Sequence, residues 1–474
     1  MLKLLDRNLT PRLALLFVTI LLKLIASGLA AVGFVLRDPA FMIVGTIIWL
    51  VWLISIFLVA LPATDKSFAS RLSWLKPMAK AIIFVLAVVA LIEIAIIGAV
   101  FSGAFNPEET EGQFGELLVT LERTYGYNDS TALSHQATTN FLDGDNPYAE
   151  SNIVSALITF DGAFDNVTPL REGQFANAFP YPDSEELEAV WLEASQYPEE
   201  IPVEYESHFN YPAGVFLLAA PFVAIGFDDL RVISLIIVLP AMAYVIWRAP
   251  TRFRFLLVAG ILISLELWNS IAAGDTGLLY FPFLILGWLL VNRKLYLSAF
   301  FMGLAIAIKQ MAWFFLPFYL ILVWRTQGLK KAVLTSGITA SLFLAANLPF
   351  FIQDPQLWVE SILAPMSQSF FPLGVGVVSF VSAGALNVQT ALPFTILEFM
   401  VYLVGLWWYF RAGYRYPNTG LILAVVPLFF AWRSLWTYFY FVDIILLSAI
   451  IINEYRKGSI LNEYDGRHMN EKLL

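Results

Sequence analysis

Three kinds of side chain in this sequence could do chemistry together. Carboxylates recur over 129–145: Asp129 follows Asn128, and Asp143 and Asp145 flank Gly144 ahead of Asn146-Pro147-Tyr148. An imidazole comes next, His208, just before Phe209-Asn210-Tyr211-Pro212. Cations lie further on, Lys309 and Arg433 near the ends of apolar runs, and Asp275 sits in Ala273-Gly274-Asp275-Thr276. A carboxylate within hydrogen-bond reach of a hydroxyl can serve as a general base. Cations can take up the charge of an anionic leaving group.

The same residues also have plain structural readings. Asn128 or Asp129 caps a helix running through Asn140. Gly144-Asp145-Asn146-Pro147 then ends it in a turn, and Tyr211-Pro212 opens the next helix. Lys309 and Arg433 can snorkel from helix ends. Asp143-x-Asp145 lacks the ligand spacing of a calcium loop and Pro147 interrupts it, so a divalent metal is possible there but unsupported.

The elements that position these groups are membrane helices. Of 474 residues, 59% are hydrophobic and 14% charged, against about 45–50% and about 25% in a soluble domain. Apolar runs recur at lengths of roughly 17–25 residues, enough to cross a ~30 Å hydrocarbon core. They lack period-2 alternation, so they predict helices rather than a barrel. The first run, 13–36, is too long for a signal-peptide core and predicts a retained helix. Cysteine is absent, so disulfides and thiolate-held metals are excluded.

Charge placement sets the path. Residues 104–210 carry 21 Asp/Glu and 2 Lys/Arg, leaving 16 acidic and 26 basic residues for the rest. Basic short loops stay cytoplasmic. Lys3, Arg7 and Arg12 therefore lie inside, as do the later clusters Arg248/Arg252/Arg254, Arg293/Lys294, Arg325/Lys330/Lys331, Arg411/Arg415 and Arg456/Lys457.

The path predicts an all-α polytopic membrane protein of about 12 transmembrane helices, between 11 and 13, with both termini cytoplasmic. Its parts are an N-terminal transmembrane hairpin with a basic cytoplasmic loop (1–80), a span (81–103), and an acidic extracytoplasmic loop with juxtamembrane helices (104–231). A transmembrane bundle (232–457) and a cytoplasmic tail (458–474) follow. The bundle's spans fall near 232–247, 255–271, 276–291, 295–308, 311–324, 331–352, 391–410, 418–432 and 438–453.

Two apolar stretches, 212–226 and 371–386, would invert the later loops if they crossed, so they read as interfacial or re-entrant. Glu266 and Glu398 fall inside predicted spans. Their cost there predicts pairing or a pathway role.

The outer loop is too long for a simple connection. Its first half mixes apolar with polar residues (Phe114, Leu117, Leu118 and Leu121, then Ala132, Ala137, Phe141 and Leu142) and predicts short helices on the membrane surface. Residues 171–206 are denser in Glu, with Tyr181-Pro182 and Tyr197-Pro198 turns, and predict a looser cap. Asn128-Asp129-Ser130 and Asn166-Val167-Thr168 match the N-glycosylation pattern, a signal common by chance.

The order of these motifs resembles the GT-C superfamily of membrane glycosyltransferases. It is most similar to the polyprenyl-phosphate-sugar-dependent branch that includes bacterial mannosyltransferases of phosphoinositide mannoside synthesis. The matching residues are Asp129, then Gly144-Asp145-Asn146-Pro147-Tyr148, then Tyr211-Pro212, where Ala213 replaces the usual second proline. Ala273-Gly274-Asp275-Thr276, Ile308-Lys309-Gln310 and Trp432-Arg433-Ser434 follow in order, so the resemblance covers roughly 80–455. The first two helices are extra.

The resemblance implies a hexosyltransferase moving a sugar (mannose in the most similar branch) from a polyprenyl-phosphate donor to an acceptor hydroxyl on a lipid, glycan or protein. The ending Asn470-Glu471-Lys472-Leu473-Leu474 is not an ER-retention signal, so the expected membrane is a prokaryotic plasma membrane. Asp129 would be the base, and Lys309 and Arg433 would face the phosphate. His208, Tyr211, Tyr148 and Gln310 would contact substrate, and Asp275 would orient the acceptor or assist a metal. No cofactor is required, and the partners are the bilayer and these substrates, with no nucleic acid. A multi-pass transporter or flippase, and a non-catalytic receptor-like scaffold, are the competing expectations.

Overall fold

The computed structural model describes residues 5, 8–102, 126–160 and 162–455; Phe114, Leu117, Leu118 and Leu121 and the tail 458–474 lie outside them. The chain starts its helices where capping chemistry places them. Thr10 accepts from the Leu13 N–H ahead of Pro11–Val35, and Asp38 accepts from the Ala40 N–H ahead of Pro39–Ala60. Each helix also has proline in its first turn, where the missing N–H costs nothing.

Among the described residues seven helices are long and apolar enough to cross a membrane: Pro11–Val35, Pro39–Ala60, Ala69–Phe101, Leu230–Arg248, Leu329–Gln353, Leu392–Ala412 and Trp436–Tyr455. The pair Thr251–Leu262 and Leu265–Ala273, bent by 52°, makes an eighth if it is one span. The chain is a multi-pass integral membrane protein of all-α class.

Several predicted spans take other forms. Gly277–Leu290 and Leu295–Ile308 have 14 residues each, about 21 Å at ~1.5 Å per residue, well short of the hydrocarbon thickness. The predicted span 255–271 is interrupted at Ile263-Ser264. That break is tolerated because the Trp268 indole N–H donates to the freed Leu262 carbonyl at 2.8 Å. The predicted span 418–432 divides into Thr419–Leu423 and a 3-10 segment Val426–Phe430 that holds Pro427. Of the two stretches read as non-crossing, 212–226 forms the ten-residue helix Gly214–Val223. The other, 371–386, holds a two-residue strand and one turn of helix, Ser379–Ser382.

The Glu-rich half of the loop is better ordered than a loose cap. Asp183 and Glu186 form a reciprocal capping box for Ser184–Gln196, which buries Leu187, Val190 and Trp191. Those three apolar residues at helical spacing are the stripe that the Glu density masked.

Strand-like pairing then stitches the loop to the bundle. Pro169 pairs with Tyr205 and Leu170 with Phe370. The Glu206 N–H donates to the Thr168 carbonyl at 3.0 Å and the Arg171 N–H to the Ser369 carbonyl at 2.7 Å. Leu373–Gly374 lies parallel to Arg433–Ser434. Segments far apart in sequence thus come to one place: 168–171, 204–206, 369–374 and 433–434.

Two glycines here differ in what surrounds them. Gly144, at φ 90°, ends Asp129–Asp143 in a left-handed turn with open space beside it. Gly374, at φ 128°, would place a Cβ 2.0 Å from the Ser434 carbonyl oxygen. Gly144→Ala should cost about 1 kcal/mol. Gly374→Ala should cost at least about 2–3 kcal/mol, because backbone must move. Thermal unfolding of both variants in the same detergent checks this, and equal shifts would count against the paired Gly374–Ser434 geometry.

Candidate functional site

Asp129 is held from both sides. It opens helix Asp129–Asp143, whose cap is Asn128, accepting from the Thr131 N–H at 3.0 Å. One Asp129 oxygen accepts from the Ser130 N–H at 2.6 Å, and the other from the Thr168 hydroxyl. The Thr168 bond exists because 168–171 is paired with 204–206. The same pairing brings Glu206, which is buried, close enough for its charge to act on Asp129.

Burial raises the Asp129 carboxyl above the ordinary aspartate range. The Thr168 hydroxyl, the Arg433 charge and the Ser130 N–H draw it back, while Glu206 pushes it further up.

Arg433 reaches this carboxylate from the strand pair. Its guanidinium lies 4.5 Å from the centre of the Phe370 ring, a cation–π arrangement. It forms no hydrogen bond or ion pair with any described residue. Trp432 helps to hold the segment, its indole N–H donating to the Phe370 carbonyl at 2.8 Å. Tyr181 faces the same place, its phenol pushed up by burial to about 12, with the Arg433 charge pulling it down and Asp129 pushing it up.

The second half of the site is a paired one. Asp275 accepts from the Gly277 N–H at 2.7 Å in the turn after Leu265–Ala273. Lys309 sits in extended backbone (φ −145°, ψ 137°) between Leu295–Ile308 and Met311–Gln327. Its ammonium donates to the Thr276 hydroxyl at 2.7 Å, lies 3.4 Å from Asp275 Oδ1, and stands 5.1 Å from the Tyr211 ring centre. The carbonyl freed by this break accepts from the Trp313 indole, which bonds Ile306 O at 2.8 Å.

The halves are tied together twice. The Thr131 hydroxyl, two residues from Asp129, donates to the Gly274 carbonyl at 2.8 Å. Tyr438 lies within electrostatic reach of Arg433, Tyr211 and Lys309. Asp129, Arg433, Tyr211, Lys309 and Asp275 therefore line one region.

His208 borders it. Its Nδ1 is 2.9 Å from Glu206 Oε1, which also accepts the His208 backbone N–H at 2.7 Å. Tyr148 and Gln310 take supporting positions. The buried Tyr148 donates its hydroxyl to the Tyr211 carbonyl at 3.0 Å and packs on Phe209, Phe216 and Phe350. The Gln310 amide donates to the Asn210 carbonyl. Their polar atoms are committed to shaping the chain around Tyr211.

Among the described residues no group of three or more His, Cys, Asp or Glu side chains could hold a metal ion. Asp143, the last residue of the helix, and Asp145, just past it, are both exposed.

Sequence reasoning missed Thr168, Tyr181, Glu206 and Tyr438. Thr168 was visible only within a glycosylation pattern, Tyr181 only as a turn residue, and Glu206 as one acid of many. The partners of Glu266 were also unreadable: the structure sets it against Lys23, 2.7 Å away, with Asp443 on the same ammonium. Comparison with protein-family models, curated proteins and solved structures finds no match to this chain.

The Glu206 hydrogen bond, its main cause, raises the His208 imidazole above its ordinary value, against burial, which lowers it. A raised histidine contributes stability that is full below its unfolded value and lost as pH rises through the folded one. Glu206→Gln should therefore lower the His208 midpoint in an NMR titration. The stability gap between wild type and His208→Ala should narrow as pH rises through that midpoint. A midpoint unmoved by Glu206→Gln would refute the pairing.

Proposed function

We propose that this protein is a membrane glycosyltransferase of GT-C type, moving a sugar from a polyprenyl-phosphate donor to an acceptor hydroxyl at the extracytoplasmic face. The observation that carries the reading is the Asp129–Arg433 arrangement. A carboxylate and a guanidinium sit within electrostatic reach, yet the guanidinium has no hydrogen-bond partner among the described residues. An unpartnered arginine beside a held carboxylate suits a site that receives an anion next to a base.

The roles follow from the chemistry. Asp129, oriented by Thr168 and Ser130, takes the proton of the acceptor hydroxyl as its oxygen bonds the sugar carbon. The bond from that carbon to the phosphate oxygen breaks, and polyprenyl phosphate leaves with the electron pair. Arg433 takes up the phosphate charge with its free N–H groups. Lys309 gives two donors to Thr276 and Asp275 and has a third for the phosphate. Tyr211 and His208 edge the region where donor and sugar would lie. In this reading the chain follows the twelve-crossing path with both termini inside, in a prokaryotic plasma membrane, and the shorter helices cross beside longer neighbours.

One observation favours the transporter reading: buried charges cluster at the broken pair Thr251–Leu262 and Leu265–Ala273, a pattern that ion-coupled transporters also use.

Purified protein in lipid, given radiolabelled polyprenyl-phosphate sugars and an acceptor extract, tests both. Asp129→Asn should lower transfer by about 10²-fold or more. The base must be ionised, so the rate should fall as pH drops through the raised Asp129 value. Because Arg433 pulls that value down, Arg433→Gln should move the acid limb to higher pH as well as weakening donor use. Transfer untouched by Asp129→Ala would sink the proposal. No transfer with any donor, together with substrate-driven flux into liposomes, would select the transporter.

A further inference from the structure

The strongest feature that the proposed reaction leaves unused is a charge cluster inside the bundle. Lys23, in the middle of Pro11–Val35, is fully buried. Its ammonium lies 2.7 Å from Glu266 Oε2, contacts Asp443 Oδ2, and donates to the Tyr440 carbonyl at 3.1 Å, with the Phe439 carbonyl at 3.4 Å. Three N–H groups are thus fully occupied. Glu266 is 7% exposed and Asp443 4%.

One ammonium against two carboxylates leaves one negative charge uncompensated. The charges that act on Glu266 are those of Lys23 and Asp443. Arg12 of the first helix, Lys76 and Lys80 of Leu72–Phe101, and Arg252 and Arg254 of Thr251–Leu262, which lines the cavity with Gly260, do not act on it. Pro39–Ala60 contributes the Trp52 ring, 5.5 Å from the Lys23 ammonium. The loop before Val442–Ala449 contributes the Tyr440 phenol, on which Glu266 and Asp275 act. Leu265–Ala273 and Val442–Ala449 add Ser270 and Ser448, neither with a hydrogen-bond partner. Gly277–Leu290 holds no charged residue, only Tyr280, on which Asp275 acts. Leu72–Phe101 holds Glu93, on which no cluster charge acts. An uncompensated charge in such surroundings costs several kcal/mol.

A small cavity lies at the carboxylates. A cavity of about 10 Å³ is lined by Ile20, Gly260, Ser264, Glu266, Asp443 and Leu447, among others. That is close to the lower limit for one water molecule. Glu266 Oε1 and Asp443 Oδ1 are both buried with no hydrogen-bond partner among the described residues, and Asp443 Oδ2 meets Lys23 only as an ion pair. The place suits a small donor carrying one positive charge.

We infer that Glu266 and Asp443 form a proton-binding site in the membrane interior, holding one proton between them across the water-sized cavity that Ser264 lines. The proton makes the cluster neutral and supplies the donor that the two orphaned oxygens lack. A sodium ion suits the place less well, since it would lie against the Lys23 ammonium with few oxygens around it. Neutrality also frees Lys23 to hold the carbonyls of Phe439 and Tyr440, immediately after Tyr438 of the candidate site. That gives the first helix a specific task. The inference does not depend on the proposed glycosyl transfer.

Infrared spectra of the full chain in lipid nanodiscs test it. At neutral pH the wild type should show a carboxylic acid C=O band that shifts on deuteration. Glu266→Gln or Asp443→Asn should remove that band, and Glu398→Gln should leave it. Survival of the whole band in both cluster variants would overturn the site. Should either variant fail to fold, Lys23→Gln gives an independent reading: without the ammonium a second proton must enter, so the band should grow, and unchanged intensity would overturn the inference. Loss of the wild-type band when sodium replaces potassium would assign the site to a metal cation instead.

Discussion

Interruptions of helices inside this apolar protein free backbone carbonyls that no water can satisfy, and at three of the interruptions a side chain supplies the donor. Trp268 covers the break at Ile263-Ser264, and Trp313 the break at Lys309. Lys23 covers the carbonyls of Phe439 and Tyr440 where Trp436–Tyr455 begins irregularly. Unpaired carbonyls in such a medium cost several kcal/mol each. Trp268 and Trp313 reach back six and seven residues to cover theirs, while Lys23 comes from the first helix. Lys309, Arg433, Tyr438 and Asp275 all stand at or beside interrupted or terminated helices. The capacity for chemistry follows from the irregular backbone.

Four cations inside the fold are used differently. Lys309 is tied to Asp275 and Thr276, and Lys23 is enclosed by two carboxylates. Arg12 is also enclosed, 2.6 Å from Glu454, and closes the opposite end of the first helix. Arg433 alone of these four makes no hydrogen bond or ion pair with a described residue; it stacks on the Phe370 ring, with Asp129 within electrostatic reach. Its donors are therefore uncommitted beside the Asp129 carboxylate, and under the proposed function they are what an anionic donor would meet. The paired cations hold the helices in position, while the unpaired one is exposed to whatever enters.

The loop and the bundle form one unit through backbone pairing as well as side-chain packing. Residues 168–171 lie between 204–206 and 369–370, and 373–374 lies against 433–434. That stitching brings Thr168 to Asp129 and carries Arg433 to the same region. It also explains why the Glu-rich segment is ordered: Tyr205, paired in the same place, donates its hydroxyl to the Leu187 carbonyl of helix Ser184–Gln196 at 3.1 Å.

The membrane class, the helix that Asn128 caps and Gly144 ends, and the acidity of the loop were all determined by the sequence alone. They depend on local properties: run length, capping residues, turn glycines and charge density, all of which act over a few neighbouring positions. The sites of Asp129, Lys309, Asp275 and Arg433 could be named from motif order, but not their partners. Thr168 on Asp129, Thr276 on Lys309, Phe370 under Arg433, and Lys23 between Glu266 and Asp443 were decided only by tertiary structure. Each joins residues tens to hundreds of positions apart, and no local preference records such distances.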